Sequence, residues 1–194
     1  MPAVFSDRIT RKAYGKINLA LDITGKREDG YHLVKMILQT VDLYDQITVE
    51  RQEKGIVLTC DDPRIPTDEK NLAYKAARLM IQTFDLPGGV RIHIEKKIPM
   101  QGGMGGGSTD AAAVILAMDE LFDLHTEPEI LDKLAVTLGA DVPFCLRKGT
   151  YLAEGIGEKL TALPSAPHGY LVLIVPSFGI STAWAYAKAD EMDD

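Results

Sequence analysis

Alternating apolar and polar positions predict β-strands in the first half of the chain and again near its end. In residues 16–24, aliphatic side chains alternate with polar ones, so Lys16 and Asn18 share the face opposite the aliphatic row. Residues 33–43 mix apolar and polar positions without a clean period and carry no strand prediction. Further strands are predicted at 46–50, 55–60, 90–95 and 170–176, the first two as a pair around a polar connection.

Helical spacing is clearest in the middle of the chain. The apolar positions of residues 71–84 recur on one face of a helix, which ends before Pro87 and the two glycines that follow it. Ser108 opens a second helix, whose apolar stripe runs through residues 114–122. Two more helices are predicted at 129–138 and 181–189.

The order of these elements favours an α+β fold. Strands come first, helices follow, and one more strand and helix close the chain. A doubly wound parallel sheet would need a regular alternation of strand and helix, which the chain does not show. No internal repeat and no Ser/Pro-rich linker divides the sequence into halves.

Composition excludes several classes of protein. The 194 residues are 46% hydrophobic and 25% charged, as in a globular protein with one large domain or two small ones. A formal net charge of −7 without a long basic run argues against nucleic-acid binding. Residues 1–12 lack a signal-peptide core, and turn residues break the longest run without charged residues or histidine, 169–187, so no membrane segment is predicted. Cys60 and Cys145 form no CxxC pair, which favours reduced cysteines and a cytoplasmic enzyme or binding protein.

The stretch 98–113 carries the strongest chemical signal. Five glycines lie within residues 102–107, interrupted only by Met104, and Ser108 and Thr109 follow as N-cap residues of an Ala-rich helix. Glycine lets a bound group approach the backbone, and a helix N-terminus aims unpaired N–H groups at one point. We therefore expect a phosphate site rather than a tight turn. The stretch lacks the Lys-Ser/Thr pair of a Walker A loop and the acidic residue of a Rossmann fingerprint.

This glycine loop resembles the second motif of the GHMP kinases. Four further segments resemble one member of that family, which acts on a cytidine-diphosphate sugar alcohol in isoprenoid biosynthesis. The matching segments follow the family's order and together span almost the whole chain. They are residues 15–32 (GKINLALDITGKREDGYH), 68–77 (DEKNLAYKAA), 139–145 (GADVPFC) and 181–186 (STAWAY).

The resemblance implies a fold as well as an activity. Residues 1–165 would form a GHMP kinase N-terminal domain, similar to domain 2 of ribosomal protein S5, that binds ATP and carries the catalytic residues. Residues 166–194 would begin a ferredoxin-like C-terminal domain and leave it incomplete. The implied reaction is phosphorylation of the 2-hydroxyl of the sugar alcohol by ATP.

Two residues carry the chemistry that the resemblance implies. Asp141 would be the base for the hydroxyl that attacks the γ-phosphate of ATP, and Lys16 would lie beside it and stabilise negative charge. Phosphoryl transfer asks a protein mainly for positioning and charge stabilisation, which this pair and a ring of N–H groups would supply. Taken alone, Asp141 is a turn aspartate and Lys16 a surface strand residue, so only the combined pattern indicates a catalytic pair.

The resemblance also implies an ATP subsite. Asn71 and Lys96 would lie near the base and the phosphates of ATP. Mg²⁺ is expected with ATP, and Ser108 is the nearest candidate ligand, although a helix cap explains that serine equally well. The residues that would wrap the phosphates are Gly103, Met104, Gly105, Gly106, Gly107, Ser108 and Thr109.

A second subsite would hold the small-molecule cytidine-diphosphate substrate. Tyr31 and Tyr186 would sandwich the cytosine, and His32 would hydrogen-bond its edge. Thr182 would face the cytidine, and Asn18 would hold the hydroxyls of the sugar alcohol. Base stacking on aromatic rings is worth about 1–3 kcal/mol per base.

The sequence departs from the family in several places. Tyr14 and Gly15 stand where the family has Pro-Ala, and Gly102 where it has alanine. The family's kinases are longer, and their third glycine-rich motif is not found here. Two alternatives therefore stay open: another GHMP kinase acting on mevalonate, homoserine or a sugar, and a truncated remnant that binds without turnover.

Overall fold

The computed structural model describes residues 7–176 and 178–191 of the chain. Strands and helices are mixed along these residues, with most strands first. The strands are β1 (Arg8–Lys26), β2 (His32–Gln52), β3 (Gly55–Cys60), β4 (Gly89–Glu95), β5 (Thr150–Glu154) and β6 (Lys159–Ala162). The helices are α1 (Leu72–Phe84), α2 (Gly106–Leu121), α3 (Pro128–Leu138), α4 (Val142–Cys145) and α5 (Thr182–Ala189).

The strands form one mixed sheet with β2 at its centre. β1 pairs antiparallel with β2 along its whole length on one side. On the other side, β4 pairs with the last part of β2 and β5 with an earlier part. β3 pairs in parallel with β4, and β6 pairs with β5. The α+β fold is thereby confirmed, but β4 separates the two strands that the sequence predicted as a pair, because β3 crosses over to the far side of β4.

Helices α1 and α2 pack on the sheet and form the main core with it. The strands contribute aliphatic side chains that are fully buried, and burial of each is worth about 1.5–3 kcal/mol. The alanines at 111–113 in α2 are also buried, and their small size lets neighbouring elements approach closely. The N-terminus of α2 is therefore held on a rigid platform. The fully buried strand residues are Ile47, Val49, Val90, Ile92 and Ile94.

The predicted strand at 16–24 is part of β1, and its partner is a segment that showed no periodicity. Residues 33–43 lie within β2. There Val34, Met36 and Leu38 are buried, while several intervening side chains are half-buried, so neither face looks polar in the sequence. A strand that is covered on both faces does not alternate cleanly, which explains why the pattern missed it.

The strand predicted at 170–176 is wrong. Within the described residues no strand lies beside this segment to complete its hydrogen bonds, and its apolar side chains are exposed, 84% for Val172 and 89% for Ile174. The helix predicted after it is confirmed as α5, which Ser181 caps by accepting a hydrogen bond from the N–H of Trp184. The domain boundary near residue 165 stays a prediction. Across 7–176 and 178–191, every helix is too short or too polar to span a bilayer.

Candidate active site

The glycine loop leads directly into α2, as expected, but the helix starts two residues earlier than predicted. It begins at Gly106, and its N-cap is Gly105 with φ 69° rather than Ser108. Gly103 has φ 68°, so two positions of the loop adopt the left-handed conformation that favours glycine. The first N–H groups of α2 have no intrahelical partner and the helix dipole adds positive potential, so this end of α2 can bind an anion.

The loop is anchored to β1 at the position of the predicted catalytic lysine. The N–H of Lys16 donates to the carbonyl of Met104 over 3.0 Å, and the Met104 side chain is buried. A Cβ on Gly105 would lie 3.2 Å from Cγ of Lys16, so the lysine stem passes directly beside the loop. Thr109 donates its hydroxyl to the carbonyl of Tyr14 over 2.8 Å, which ties the first turn of α2 to the same strand. Met104 and Thr109 thus hold the loop in place.

Lys16 and Asp141 come together although they lie on β1 and at the start of α4, far apart along the chain. The Lys16 ammonium lies 3.5 Å from Oδ2 of Asp141, and the lysine side chain is only 8% exposed against 33% for the aspartate. Lys16 also donates to Oδ1 of Asn18 over 2.9 Å, so the two residues share one face of β1 as predicted. A half-exposed carboxylate beside a buried ammonium can accept a proton while the lysine compensates charge.

A second buried lysine lies under the start of α2. Lys96 contacts the carboxylates of both Asp45 and Asp110, the latter over 3.0 Å. Asp45 is fully buried, and its other oxygen accepts the N–H groups of Lys97 and Ile98 over 2.6 and 2.9 Å. Oδ1 of Asp110 has no hydrogen-bond partner within the described residues. We call Asp45, Lys96 and Asp110 the buried triad.

The buried triad has an excess of negative charge that the fold must tolerate. Burial, together with the neighbouring carboxylate of Asp45, raises the pKa of Asp110 to about 7 against the attraction of Lys96. The ammonium of Lys96 is 3.3 Å from where a Cβ on Gly106 would lie. Lys96 therefore supports the anion-binding end of α2 from below, with its charge engaged by carboxylates.

Asn71 is likewise engaged by its own helix. It is the N-cap of α1, where Oδ1 accepts the N–H of Ala73 over 2.9 Å and Nδ2 donates to the carbonyl of Pro66 over 2.8 Å. The next residue, Leu72, would lie 3.7 Å from a Cβ on Gly107. The structure thus places the start of α1 beside the glycine loop. Asn71 has a capping role there, which its motif did not indicate.

The predicted substrate residues lie on both sides of a contact between the β1–β2 hairpin and α5. The rings of His32 and Tyr186 stack with centroids 4.7 Å apart and planes inclined by 13°. Burial raises the pKa of Tyr186, and the nearby carboxylate of Asp141 raises it further. Tyr186 packs against the core cluster that contains Phe144, three residues after Asp141. Tyr31 is 60% exposed in the hairpin turn. The side chain of Thr182 lies outside the described residues.

Two residues of this contact were missed by sequence reasoning. Asp190, which follows α5, accepts hydrogen bonds from Nε2 of His32 over 2.7 Å and from Nζ of Lys26 over 2.5 Å. Lys26 lies within the matching segment 15–32 but has no predicted role, Asp190 belongs to no recognisable motif, and only the folded chain brings them together. The structure thus links the glycine loop, Lys16, Asp141, Tyr186 and His32 in one continuous region.

Comparison with known proteins supports the fold. Residues 71–149 match the family model of the GHMP kinases N terminal domain. The fold resembles a crystal structure of homoserine kinase from Cytophaga hutchinsonii, with a TM-score of 0.63, 21% identity, and coverage of 98% of this chain and 66% of that one. The fold is thus that of a GHMP kinase N-terminal domain.

Within that family, one enzyme is much more similar in sequence. A 4-diphosphocytidyl-2-C-methyl-D-erythritol kinase from Clostridium botulinum is 52% identical over 179 residues, which cover 92% of this chain and 64% of the relative. A crystal structure of 4-(cytidine 5'-diphospho)-2C-methyl-D-erythritol kinase matches with a TM-score of 0.70 and 42% identity, covering 80% of this chain and 55% of that one. The chain thus spans about 64% of the length of the curated relatives it matches.

Proposed function

We propose that this protein transfers the γ-phosphate of ATP to the 2-hydroxyl of 4-diphosphocytidyl-2-C-methyl-D-erythritol, a step of isoprenoid biosynthesis. The observation that carries the proposal is the Lys16–Asp141 pair, 3.5 Å apart and directly beside the glycine loop. The names of the relatives at about 50% identity support the choice of acceptor. The cytoplasmic location predicted from the sequence is part of the same proposal.

The geometry supports a direct transfer. The N–H groups at the start of α2 hold the phosphates, and Lys16, whose stem lies 3.2 Å from the Cβ position of Gly105, places its charge between them and Asp141. The acceptor oxygen forms a bond to the γ-phosphorus, the bond from that phosphorus to the bridging oxygen of ADP breaks, and Asp141 takes the hydroxyl proton. Lys16 stabilises the negative charge that is redistributed over the phosphate oxygens during the transfer.

Mg²⁺ fits this site as a companion of ATP rather than as a resident ion. Within the described residues, no cluster of three or more His, Cys, Asp or Glu side chains could hold a metal. The carboxylates of Asp45 and Asp110 are engaged by Lys96. Magnesium keeps several waters and binds mainly through substrate phosphates, so Ser108 would be its nearest protein ligand and the ion would neutralise phosphate charge.

The cytidine would lie between the hairpin and α5. The rings of His32 and Tyr186 are nearly parallel. A base that hydrogen-bonds to the edge of the His32 ring and lies in the plane of that ring would therefore be parallel to the Tyr186 ring and stack on it. Tyr31 in the hairpin turn would cover the other face of the base. Asn18, fixed by Lys16, would meet the hydroxyls of the acceptor.

A coupled assay of ADP release tests the proposal. The protein is given ATP and Mg²⁺ with the cytidine-diphosphate alcohol, mevalonate or homoserine as the acceptor. We expect turnover only when the acceptor is the cytidine-diphosphate alcohol, and turnover about 10²–10⁴-fold slower from an Asp141→Asn variant that still binds ATP. Turnover with mevalonate or homoserine instead would assign the site to another GHMP kinase, and ATP binding without turnover on any acceptor would indicate a binding remnant.

A further inference from the structure

The carboxylate of Asp190 joins two segments that are distant in sequence. His32 and Lys26 lie at the ends of the two strands of the β1–β2 hairpin, and Asp190 follows α5. The bonds of Asp190 to His32 Nε2 and to Lys26 Nζ measure 2.7 and 2.5 Å and span 158 and 164 residues. The imidazole is only 10% exposed, so its environment is set mainly by protein groups.

These contacts fix the His32 ring in two independent ways. Tyr186 stacks on the face of the imidazole and sets its plane. Asp190 binds one nitrogen and sets the rotation of the ring within that plane. Both groups belong to the same short segment around α5, so the position of this segment controls the complete orientation of His32.

The hydrogen bond also decides which nitrogen carries the proton. Hydrogen bonds from Lys26 and His32 hold the pKa of Asp190 below its ordinary value, so the carboxylate is ionised and can only accept. Its partner Nε2 must then donate. In the neutral imidazole the proton is thus held on Nε2, and Nδ1 keeps a lone pair.

We propose that Asp190 is a positioning residue for pyrimidine choice: by holding the proton on His32 Nε2, it makes Nδ1 an acceptor for the exocyclic amino group of cytosine. The inference rests on the proposed cytidine subsite. Uracil carries a carbonyl oxygen at the same place, and this oxygen would face the Nδ1 lone pair without a proton between them. A site built to accept an N–H rejects the analogue that lacks it far more strongly than a site that merely fits its shape.

The test compares binding of CDP and UDP by calorimetry in the wild-type protein and in Asp190→Asn. An asparagine can turn its amide N–H toward Nε2 and so favours a proton on Nδ1. We expect the wild-type preference for CDP to fall about tenfold or more in Asp190→Asn, with unchanged affinity for a non-hydrolysable ATP analogue. Asp190→Glu, which keeps a carboxylate, should retain part of the preference for CDP that Asp190→Asn loses. Glu191→Gln is the matched control, since Glu191 is an exposed carboxylate at the same helix end that pairs with Lys188.

Nitrogen chemical shifts of the His32 ring in the unliganded wild-type protein give a second test that needs no variant. The inference requires the proton on Nε2, and a proton mainly on Nδ1 would overturn it. Equal losses of CDP and UDP affinity in Asp190→Asn, with the ratio unchanged, would also overturn it and leave only a structural role. If the wild-type protein does not prefer CDP, the proposed cytidine subsite itself fails, and the inference fails with it.

Discussion

The buried triad allows a sharp test of how the platform under α2 is built, because its two carboxylates have different surroundings. Asp45 is fully buried and every one of its oxygens has a partner, including two backbone N–H groups at 2.6 and 2.9 Å. In Asp45→Asn, the amide N–H₂ would face the ammonium of Lys96, which loses its closest countercharge. Breaking a buried ion pair from one side costs about 3–5 kcal/mol, a large part of the roughly 5–15 kcal/mol that stabilises a typical domain.

Asp110→Asn is the matched comparison. Because the pKa of Asp110 is raised to about 7, its carboxyl already carries a proton in a large fraction of molecules at neutral pH. The asparagine oxygen can accept from Lys96, and the amide nitrogen replaces an oxygen that has no partner within the described residues. We therefore expect a change below about 1 kcal/mol in the free energy of unfolding. Urea denaturation followed by circular dichroism at pH 7 measures the stability of both variants, and an equal loss of stability in the two would show that Asp45 and Asp110 do not differ in this way.

The raised pKa of Asp110 predicts a pH dependence of stability with a definite sign. The folded-state pKa of Asp110 lies above its ordinary value of 3.8, so between about pH 4 and pH 7 the folded protein binds a proton that the unfolded chain releases. The stability from this proton is fully present below about pH 4 and is lost as the pH rises through about 7. Relative to wild type, Asp110→Asn should therefore gain stability from about pH 5 to about pH 8. A difference that stays constant with pH would contradict the raised pKa.

Three further variants probe the binding surfaces. Gly107→Val should weaken binding of an ATP analogue about tenfold or more in calorimetry. Its stability should be nearly unchanged, because among the described residues the nearest atom to a Cβ there belongs to Leu72, at 3.7 Å. Unchanged affinity would show that the loop is merely a turn. Gly106→Val should cost stability as well, since its Cβ would lie 3.3 Å from Nζ of Lys96. Tyr186→Ala should weaken CDP binding by about 1–3 kcal/mol and leave ATP affinity unaffected; equal losses for both ligands would indicate general unfolding around α5 instead.

Periodic segments were predictable because one physical cause dominates them. Residues 90–95 alternate because β4 buries Ile92 and Ile94 on its core face, and the helix predicted at 71–84 follows from its apolar stripe. Residues 170–176 were predicted wrongly, because apolar composition indicates that a segment can form a buried strand but not whether a partner strand lies beside it.

The residues of the candidate site likewise divide into those that the sequence predicts and those that it does not. The glycine loop was predictable because glycine at φ 68° and 69° is a local requirement, and motif resemblance indicated Lys16 and Asp141. Asp45 was not predictable, since a lone carboxylate within a strand looks like any polar position, and its role arises from Lys96, 51 residues away. Asp190 was missed for the same reason, because its partners lie at the far end of the chain.

The claim that Lys16, Asp141 and the glycine loop form a phosphoryl-transfer site can be checked by following radiolabel from the γ-phosphate of ATP to the cytidine-diphosphate alcohol in a single turnover. The wild-type protein should form a labelled phosphomonoester. In Asp141→Asn its formation should be about 10²–10⁴-fold slower, with ATP affinity unchanged. A wild-type protein that binds ATP but transfers no label, or an Asp141→Asn variant that transfers it at the wild-type rate, would contradict the claim.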